Sequence, residues 1–480
     1  MKHWSYFLGG KWEKGKRVKT IYSPYKNIPV GEVGWADADI LNEAIEKAHN
    51  SFPVTSTLPT YKRKEILTQI ARGIKKRKEE FARIIAQEAG KPIQYSRGEV
   101  ARAIATFNIA AEETDNLTGE IIPLDVTPAG EGRIGVVQYF PIGVAGAITP
   151  FNFPLNLVAH KLAPAIAAGN PIVLKPSSST PITAILLAEV IAETSLPSAS
   201  ISIIPCDASD SYPLINNKAI KILTFTGSAE VGWQLKQKAW EKRVTLELGG
   251  NAAVIVDSGD NLDYIIEQCV KGSFAYSGQI CISIQRIYVK KELFSEFLHK
   301  FLQKTAILTL GDPLEETTDI GPMINQASVE KVMLWLKEAT QKGAKILIGG
   351  EASENFILPT VLTNTTPEMK VWSEEVFAPL VLIEPYTTFK EALELANKTS
   401  YGLQCGVFTS DIEKMYLAFQ KLEVGGVIIN DIPTFRVDNM PYGGVKRSGI
   451  GKEGVKYAIR EMTEMKLMVV NLSYFKGEKI

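Results

Sequence analysis

The sequence predicts an α/β protein with two doubly wound parallel-sheet domains and a small separate β arm. From about Pro141 onward, short apolar runs alternate with helical patterns, the βαβ rhythm of a parallel sheet covered by helices on both faces. This rhythm occurs in two stretches, which meet at Gly249-Gly250-Asn251. Two further apolar stretches, Ile121–Gln138 and Met465–Leu472, belong to neither rhythm and predict isolated strands.

The first rhythm opens with a predicted strand over Gly143–Thr149 and a predicted helix over Leu155–Ala168. The helix is expected to stop at Gly169-Asn170, because glycine and asparagine adopt the left-handed conformation that ends helices. The other elements predicted here are strands over Pro171–Lys175, Ile201–Pro205, Ile222–Thr226 and Val244–Leu246, and helices over Thr183–Thr194 and Ala229–Trp240.

The second rhythm begins at a predicted strand over Ala252–Val256 and ends at another over Val427–Ile429. The part before both rhythms is predicted to be mainly helical. Elements predicted within the second rhythm are helices over Tyr264–Tyr276 and Phe294–Thr305 and strands over Ile284–Val289 and Lys345–Ile348; the N-terminal helices are expected over Asp39–His49, Lys62–Ala89 and Gly98–Thr114.

Composition excludes several classes of function. The chain has 480 residues, with 53 Lys and Arg against 53 Asp and Glu, so no net basic field favours nucleic acid or an anionic membrane. Its apolar runs are shorter than the roughly 20 residues of a membrane span. The N-terminus lacks the apolar segment of a secretory signal, and the four cysteines form no disulfide framework, so we expect a cytoplasmic protein. Histidines at metal-ligand spacing are absent, which predicts no metal.

Cys281 is the candidate nucleophile. It follows Ser277-Gly278-Gln279-Ile280 in a turn between a predicted helix and a predicted strand, where a thiolate can meet a substrate. A cysteine considered alone is more often a small buried apolar residue, and that interpretation is retained for Cys206, Cys269 and Cys405.

Glu247 and Asn152 are the candidate partners of that thiol. Glu247 ends an apolar strand before two glycines, and ligands bind at the carboxyl ends of such strands, so its carboxylate could act as a general base. Asn152, in Thr149-Pro150-Phe151-Asn152, could donate its amide to an oxyanion. Considered alone, Glu247 is equally a surface acid, and Asn152 is more often a helix N-cap.

Two loops have features that suit the binding of a dinucleotide. The segment from Phe225 to Gly232 follows a strand and opens a helix, whose free N–H groups suit a pyrophosphate, although it is not a GxGxxG motif. In Lys175-Pro176-Ser177-Ser178-Ser179, the lysine follows a strand of the same sheet and could hold a ribose hydroxyl or a phosphate.

Together these segments resemble the aldehyde dehydrogenase superfamily over nearly the whole chain. The motifs TPFNFP, KPS, FTGS, ELGG, GQIC and EEVFAP occur in the family's order, between an opening GGKW and a closing PYGGVKRSG. Six ordered matches are specific, although each one alone is not. The resemblance is closest to the lactaldehyde and non-phosphorylating glyceraldehyde-3-phosphate dehydrogenase group, through Asn152–Asn170 and Phe435–Tyr457.

The resemblance implies an enzyme that oxidises an aldehyde with NAD(P)⁺. Cys281 would form a hemithioacetal and then a thioester, its backbone N–H and Asn152 would hold the oxyanion, and Glu247 would activate the hydrolytic water. Lys175 would bind the adenosine ribose and Ser228 the pyrophosphate, whereas Glu375 and Phe377 would contact the nicotinamide end. The remaining motif positions expected at the cofactor are Thr149, Pro150, Phe151, Ser177, Ser178, Phe225, Gly227 and Leu248.

The resemblance also implies the domain organisation and the substrate. A Rossmann-like cofactor domain would comprise residues 1–118 and 141–249, a catalytic domain 250–445, and an oligomerisation arm 119–140 and 458–480, giving a homodimer or homotetramer. The substrate would be a small hydroxylated aldehyde, with or without an anionic group. The candidate anion ligands are Arg102, His160, Arg286 and Arg436, for each of which a structural role is at least as frequent.

Ser178 bears on the choice of cofactor. A carboxylate three residues after the KPS lysine would chelate the ribose 2′-hydroxyl and repel a 2′-phosphate, but Ser178 is neutral. We therefore expect NADP to be accepted or preferred, with NAD also used. Two alternatives remain open: a CoA-acylating dehydrogenase, against which Glu247 argues, and a cysteine-dependent esterase without redox chemistry.

Overall fold

The computed structural model describes residues 1–477, so residues 478–480 of the predicted arm lie outside the described part. Five short strands precede the first helix, which makes the prediction of a mainly helical N-terminal part wrong for residues 3–35. The predicted helix Lys62–Ala89 is two helices, divided at Arg77. The elements here are β1 (His3–Trp4), β2 (Tyr6–Leu8), β3 (Lys11–Glu13), β4 (Arg17–Tyr22), β5 (Pro29–Trp35), α1 (Ala38–Ser56), α2 (Thr60–Lys76), α3 (Lys78–Ala89) and α4 (Ile93–Asp115).

Two strands that together span the predicted stretch Ile121–Gln138 come next. The predicted βαβ rhythm follows them, and its predicted elements agree with the structure to within a few residues. The elements of this part of the chain are β6 (Glu120–Pro123), β7 (Arg133–Pro141), β8 (Val144–Ile148), α5 (Asn156–Ala168), β9 (Ile172–Lys175), α6 (Ile182–Ala192), β10 (Ile201–Ile203), α7 (Tyr212–Asn216), β11 (Ile220–Thr226), α8 (Ala229–Lys238) and β12 (Arg243–Glu247). Helix α5 ends at Gly169, whose φ of 81° is the left-handed C-cap that the sequence predicts.

The second rhythm and the C-terminal segment complete the chain. Their elements are β13 (Ala252–Val256), α9 (Leu262–Phe274), β14 (Ile284–Lys290), α10 (Lys291–Ala306), α11 (Gln326–Gln341), β15 (Lys345–Ile348), β16 (Ala352–Ser353), β17 (Phe356–Ile357), β18 (Thr360–Thr363), α12 (Lys370–Ser373), β19 (Leu380–Tyr386), α13 (Phe389–Asn397), β20 (Tyr401–Gly402), β21 (Gln404–Phe408), α14 (Ile412–Lys421), β22 (Gly426–Ile429), β23 (Val445–Lys446), β24 (Gly449–Ile450), α15 (Val455–Glu461) and β25 (Thr463–Asn471).

Two large sheets form the framework, which confirms the predicted fold class. The first has the order β24-β12-β11-β8-β9-β10-β2-β3, with β8 to β12 parallel and antiparallel strands at both edges. The second has the order β15-β18-β19-β14-β13-β21-β22, all parallel except β15. Successive residues of β9 enter opposite cores, Ile172 and Leu174 on one face and Val173 on the other. Burial on both faces is the reason these strands are apolar throughout.

The two apolar stretches outside the rhythms form a third, antiparallel sheet of order β25-β7-β6. Strand β25 pairs with β7 along its full length, from Thr463 opposite Pro141 to Asn471 opposite Arg133. Several apolar side chains of β25 are exposed, among them Met465, Leu467 and Met468. In the described part of the chain, no helix has the length and apolar character needed to cross a bilayer.

Candidate active site

A cavity of about 410 Å³ lies between the carboxyl ends of β8, β11 and β12 in the first large sheet and the amino ends of β14 and β19 in the second. The carboxyl ends of parallel strands are where α/β sheets bind ligands, and the volume is that of an ordinary ligand pocket. Five segments form most of its wall: Pro150–Phe153 after β8, Thr226–Ser228 after β11, Glu247–Gly249 after β12, Ile280–Ile282 before β14, and Glu375–Phe377 after α12.

The turn that carries Cys281 is held in an unusual backbone conformation. After α9, Tyr276, Ser277 and Gly278 have φ of 48°, 56° and 67°, so three successive residues occupy the left-handed region. A Cβ at Gly278 would lie 2.1 Å from the Ala378 carbonyl oxygen, which leaves room only for glycine. The Ser277 hydroxyl donates to the Gly321 carbonyl at 2.6 Å. Strain maintained in this way by surrounding contacts is common at functional sites.

The Cys281 thiol is half-buried, whereas Cys206, Cys269 and Cys405 are fully buried. Its sulfur lies 2.9 Å from the Tyr442 hydroxyl oxygen. Burial raises the pKa of Cys281 to about 11, although the hydrogen bond from Tyr442 and the charge of Arg436 oppose this rise. The resting group is therefore a thiol that a base or a nearby hydrogen-bond donor must help to ionise.

Glu247 is the last residue of β12, and its side chain is buried in the cavity wall. Among the described residues, neither carboxylate oxygen has a hydrogen-bond partner. Burial raises the pKa of Glu247 well above its usual value, and repulsion from Glu453 raises it further. A buried, unpartnered carboxylate with a raised pKa is a stronger base than an ordinary glutamate, which suits it to accept a proton.

Asn152 follows β8 and approaches the cysteine turn directly. Its side-chain amide donates to the Gln279 carbonyl at 2.9 Å, two residues before Cys281. One of the two amide protons is thereby used, and the other remains available to a ligand in the cavity. The predicted trio of Cys281, Glu247 and Asn152 thus lines one cavity.

A buried ionic network lies behind the trio. Glu453 accepts hydrogen bonds from Lys161 at 2.8 Å and from Arg436 at 2.6 Å. Asp438 accepts from Arg102 at 2.6 Å and lies 2.8 Å from the His160 ring nitrogen. These charges are largely removed from water, so removing one partner would leave the other buried and uncompensated.

Of the twelve predicted cofactor residues, seven line the cavity: Pro150, Phe151, Gly227, Ser228, Leu248, Glu375 and Phe377. Glu375 is the most constrained of them. It accepts the Gly250 N–H at 3.0 Å, and a Cβ at Gly249 would lie 2.2 Å from its carboxylate. Burial raises the pKa of Glu375 to about 7, while the Gly250 hydrogen bond acts in the opposite direction. These features leave a carboxylate acceptor aimed at the cavity, which fits a ribose hydroxyl.

The other five predicted cofactor residues lie outside the cavity lining, four of them around the ends of β8 and β9 and one, Phe225, in β11. The Thr149 N–H donates to the Lys175 carbonyl at 3.2 Å, and the Lys175 ammonium lies 3.5 Å from the Ser178 hydroxyl. The Ser177 hydroxyl accepts the Ser179 N–H at 3.2 Å. Phe225 packs under the next loop, since a Cβ at Gly227 would lie 2.5 Å from its ring. Lys175, Ser178 and Thr149 therefore form a separate polar cluster at the same sheet edge.

The four candidate anion ligands separate into two pairs. Arg102 and Arg436 line the cavity, as predicted for residues that meet a substrate. The prediction for Arg286 is wrong, because all five of its N–H donors are used by protein acceptors; these are both oxygens of Asn251, the Tyr288 hydroxyl and the carbonyls of Leu395 and Ala396. The prediction that His160 meets a substrate anion is also wrong, because its side chain is fully buried against Asp438 and lies outside the cavity lining.

Sequence reasoning missed several residues of the wall. Tyr442 and Glu453 lie within segments that carry the family resemblance, but their spacing gave no sign of contact with Cys281 or Arg436. Asp438, which gathers Arg102 and His160, was missed in the same way. Lys331, on α11, lines the cavity beside Glu375 and has no local signal in the sequence.

Fold and cavity together define an α/β protein with two large sheets and a cysteine thiol in the cavity between the carboxyl ends of one sheet and the amino ends of the other. The family model described as "Aldehyde dehydrogenase family" matches residues 12–468. A 3-sulfolactaldehyde dehydrogenase of Priestia aryabhattai is 44% identical over 473 residues, covering 98% of this chain and 99% of that protein. The chain therefore belongs to the aldehyde dehydrogenase family, and it is an NAD(P)-dependent aldehyde-oxidising enzyme.

Solved structures agree over the whole chain. Aldehyde dehydrogenase 21 of Physcomitrella patens, in complex with the reaction product succinate, has a TM-score of 0.97 and 43% identity, with 98% of each chain covered. Glyceraldehyde-3-phosphate dehydrogenase GapN of Methanocaldococcus jannaschii, complexed with NADP, has a TM-score of 0.90 and 38% identity, covering 95% of this chain and 100% of that one. The predicted resemblance to the lactaldehyde and non-phosphorylating glyceraldehyde-3-phosphate dehydrogenase group is confirmed.

Proposed function

We propose that the enzyme oxidises a small aldehyde bearing an anionic group to its carboxylic acid, with Cys281 as the nucleophile. The observation that carries this proposal is the joint presence of Cys281, Glu247, Asn152 and two arginines, Arg102 and Arg436, around one cavity. The first three supply thioester chemistry. The arginines supply a place for the substrate's charge.

The mechanism follows from what each group can do. The Cys281 thiol first loses its proton. The thiolate sulfur then adds to the aldehyde carbon, and the Asn152 amide and Cys281 backbone N–H donate to the oxygen that becomes negative. NAD(P)⁺, when bound near Glu375 and Phe377, supplies the acceptor for the hydride. Glu247 then takes a proton from a water molecule that attacks the thioester carbon, and the acid leaves as the Cys281 sulfur is released.

Arg436 is the better placed of the two anion ligands. Its guanidinium stacks 3.7 Å from the centre of the Tyr442 ring and donates one N–H to Glu453. Among the described residues, its buried Nε–H has no acceptor. A buried donor without a partner is costly, and an anionic ligand oxygen would satisfy it. The names of the relatives agree with this assignment, because sulfolactaldehyde and succinate both carry such a group.

Replacing Arg436 by glutamine is expected to reduce kcat/KM for succinate semialdehyde by roughly 30-fold or more, since losing one partner of a buried charge pair costs about 2–5 kcal/mol. Butanal has the same chain length without the charge, so its kcat/KM should fall much less. The ratio of the two values is the measurement, because general damage to the site cancels in it. Arg447→Gln, at an exposed arginine outside the cavity lining, is the control. An unchanged ratio in Arg436→Gln would rule out the anion site.

We also propose that NADP is accepted or preferred, because Ser178 puts no charge beside Lys175. The kcat/KM for NADP is expected to be at least comparable to that for NAD. Ser178→Glu should shift the ratio of kcat/KM for NAD to kcat/KM for NADP toward NAD by about tenfold, equivalent to about 1.4 kcal/mol. Ser179→Glu adds the same charge one residue farther on and should shift this ratio less. Tenfold selectivity of the unmodified enzyme for NAD would contradict the proposal.

The assembly and location are proposed as well. Strand β25 presents exposed Met465, Leu467 and Met468 at the edge of the small sheet, an arrangement that a second copy could cover. The exposed strand agrees with a homodimer or homotetramer, and sedimentation showing monomer alone would contradict that assembly. The location that we propose is the cytoplasm. The domain boundaries 1–118 with 141–249, 250–445, and 119–140 with 458–480 remain a prediction.

A further inference from the structure

Tyr442 occupies a position in the cavity that the mechanism above leaves without a role. Its ring is buried, and its hydroxyl lies 2.9 Å from the Cys281 sulfur. No other side-chain hydrogen bond to this sulfur is found within residues 1–477. The hydroxyl can donate to a thiolate or accept from a thiol, and these two arrangements have opposite effects on ionisation.

The surroundings favour donation. Burial raises the pKa of Tyr442 well above its usual value, so the phenol keeps its proton over the range in which enzymes operate. The Arg436 guanidinium lies 3.7 Å from the ring centre, and a cation over the ring draws electron density from the phenol. The phenol therefore has a proton to give to the hydrogen bond, and the cation over its ring favours donation toward an anionic sulfur.

We propose that Tyr442 is a positioning residue for the nucleophile: its hydroxyl donates to the Cys281 thiolate, stabilising the reactive form and aiming it into the cavity. This inference rests on the proposed role of Cys281. In this arrangement, the ease with which Cys281 forms a thiolate depends on the hydrogen bond from Tyr442. Because Arg436 stacks on the Tyr442 ring, it also depends on Arg436.

The proposal predicts the direction of change when the donor is removed. Losing the hydrogen bond from Tyr442 should raise the pKa of the Cys281 thiol, because the bond stabilises the thiolate and not the neutral thiol. At a fixed pH near 8, below the thiol pKa of about 11, the rate of alkylation is proportional to the small thiolate fraction. One unit of pKa therefore appears as a tenfold change in rate.

The test is alkylation of the full-length protein by iodoacetamide as a function of pH, with mass spectrometry to locate the label. Tyr442→Phe should alkylate Cys281 about tenfold more slowly at a pH near 8. The control is Tyr386→Phe, which removes another buried hydroxyl, one that donates to the Asp257 carboxylate at 3.1 Å and lies outside the cavity lining. Its alkylation rate should be unchanged. Thermal unfolding and NADP⁺ titration of each variant show whether it is folded.

A second substitution keeps the test decisive if Tyr442→Phe disturbs the site. A ring-fluorinated tyrosine at position 442 retains size and shape but is a stronger donor, so it should accelerate alkylation. An unchanged or faster rate in folded Tyr442→Phe, or no acceleration by the fluorinated residue, would overturn the inference while leaving Cys281 as nucleophile. Inactivation without label on Cys281 would overturn both.

Discussion

Replacing Cys281 by serine is expected to abolish aldehyde oxidation, lowering kcat by roughly 10⁴-fold or more. A serine hydroxyl ionises far less readily than a thiol, and burial at this position already raises the pKa of the Cys281 thiol to about 11. The oxygen of such a serine would also be a poorer leaving group when the acyl intermediate is hydrolysed. The measurement is the rate of reduced-nicotinamide formation with saturating aldehyde and NADP⁺.

The matched control is Cys405→Ser. Cys405 is buried in β21, away from the cavity lining, so the same atom exchange there should cost stability but retain most of the activity. NADP⁺ binding to both variants should persist. Near-normal kcat in Cys281→Ser would remove this residue as the nucleophile, whatever the other variants show.

Replacing Glu247 by glutamine is expected to slow hydrolysis of the thioester by about 10²- to 10⁴-fold, the range for loss of a general base. Glutamine keeps the shape of the side chain but cannot accept the proton of the attacking water. Acylation should suffer less than deacylation, so rapid mixing should show a burst of reduced nicotinamide followed by slow turnover. Glu241→Gln, at an exposed glutamate, serves as the control.

The pH dependence of the same step gives a further check. The base must be ionised, and burial together with repulsion from Glu453 raises the pKa of Glu247. Deacylation in the unmodified enzyme should therefore rise with pH as Glu247 loses its proton, at a pH well above that of an ordinary glutamate. In Glu247→Gln this rise should vanish. A variant that retains both the rate and its pH dependence would exclude Glu247 as the base.

The fold was largely predictable because its strands are buried on both faces. The apolar run before Glu247 and the glycine that ends α5 are local signals, and both agree with the structure. The strands between residues 3 and 35 were not predictable in this way. They are two to seven residues long, and some of their pairing comes from distant partners, as when Phe7 of β2 pairs with Ile203 of β10.

The site residues that lie in sequence motifs were predictable. The ion pairs around them were not, because most of their partners come from distant parts of the chain. Cys281, Glu247 and Asn152 lie in sequence motifs at a strand end or in a loop beside a strand, and they line one cavity. The sequence around an arginine does not show which acceptor its guanidinium will contact. Arg286 is fully engaged by Asn251 and carbonyl groups, whereas Arg436 retains a buried donor without an acceptor, and only the tertiary structure separates the two.

The central claim is that the substrate becomes covalently attached to Cys281, and trapping that intermediate tests it most directly. Glu247→Gln would be mixed with succinate semialdehyde and NADP⁺, quenched in acid during the burst, digested and analysed by mass spectrometry. We predict that the peptide containing Cys281 carries the succinyl group as a thioester, and that omitting NADP⁺ prevents this. A burst of reduced nicotinamide without acyl label on Cys281 would contradict the account.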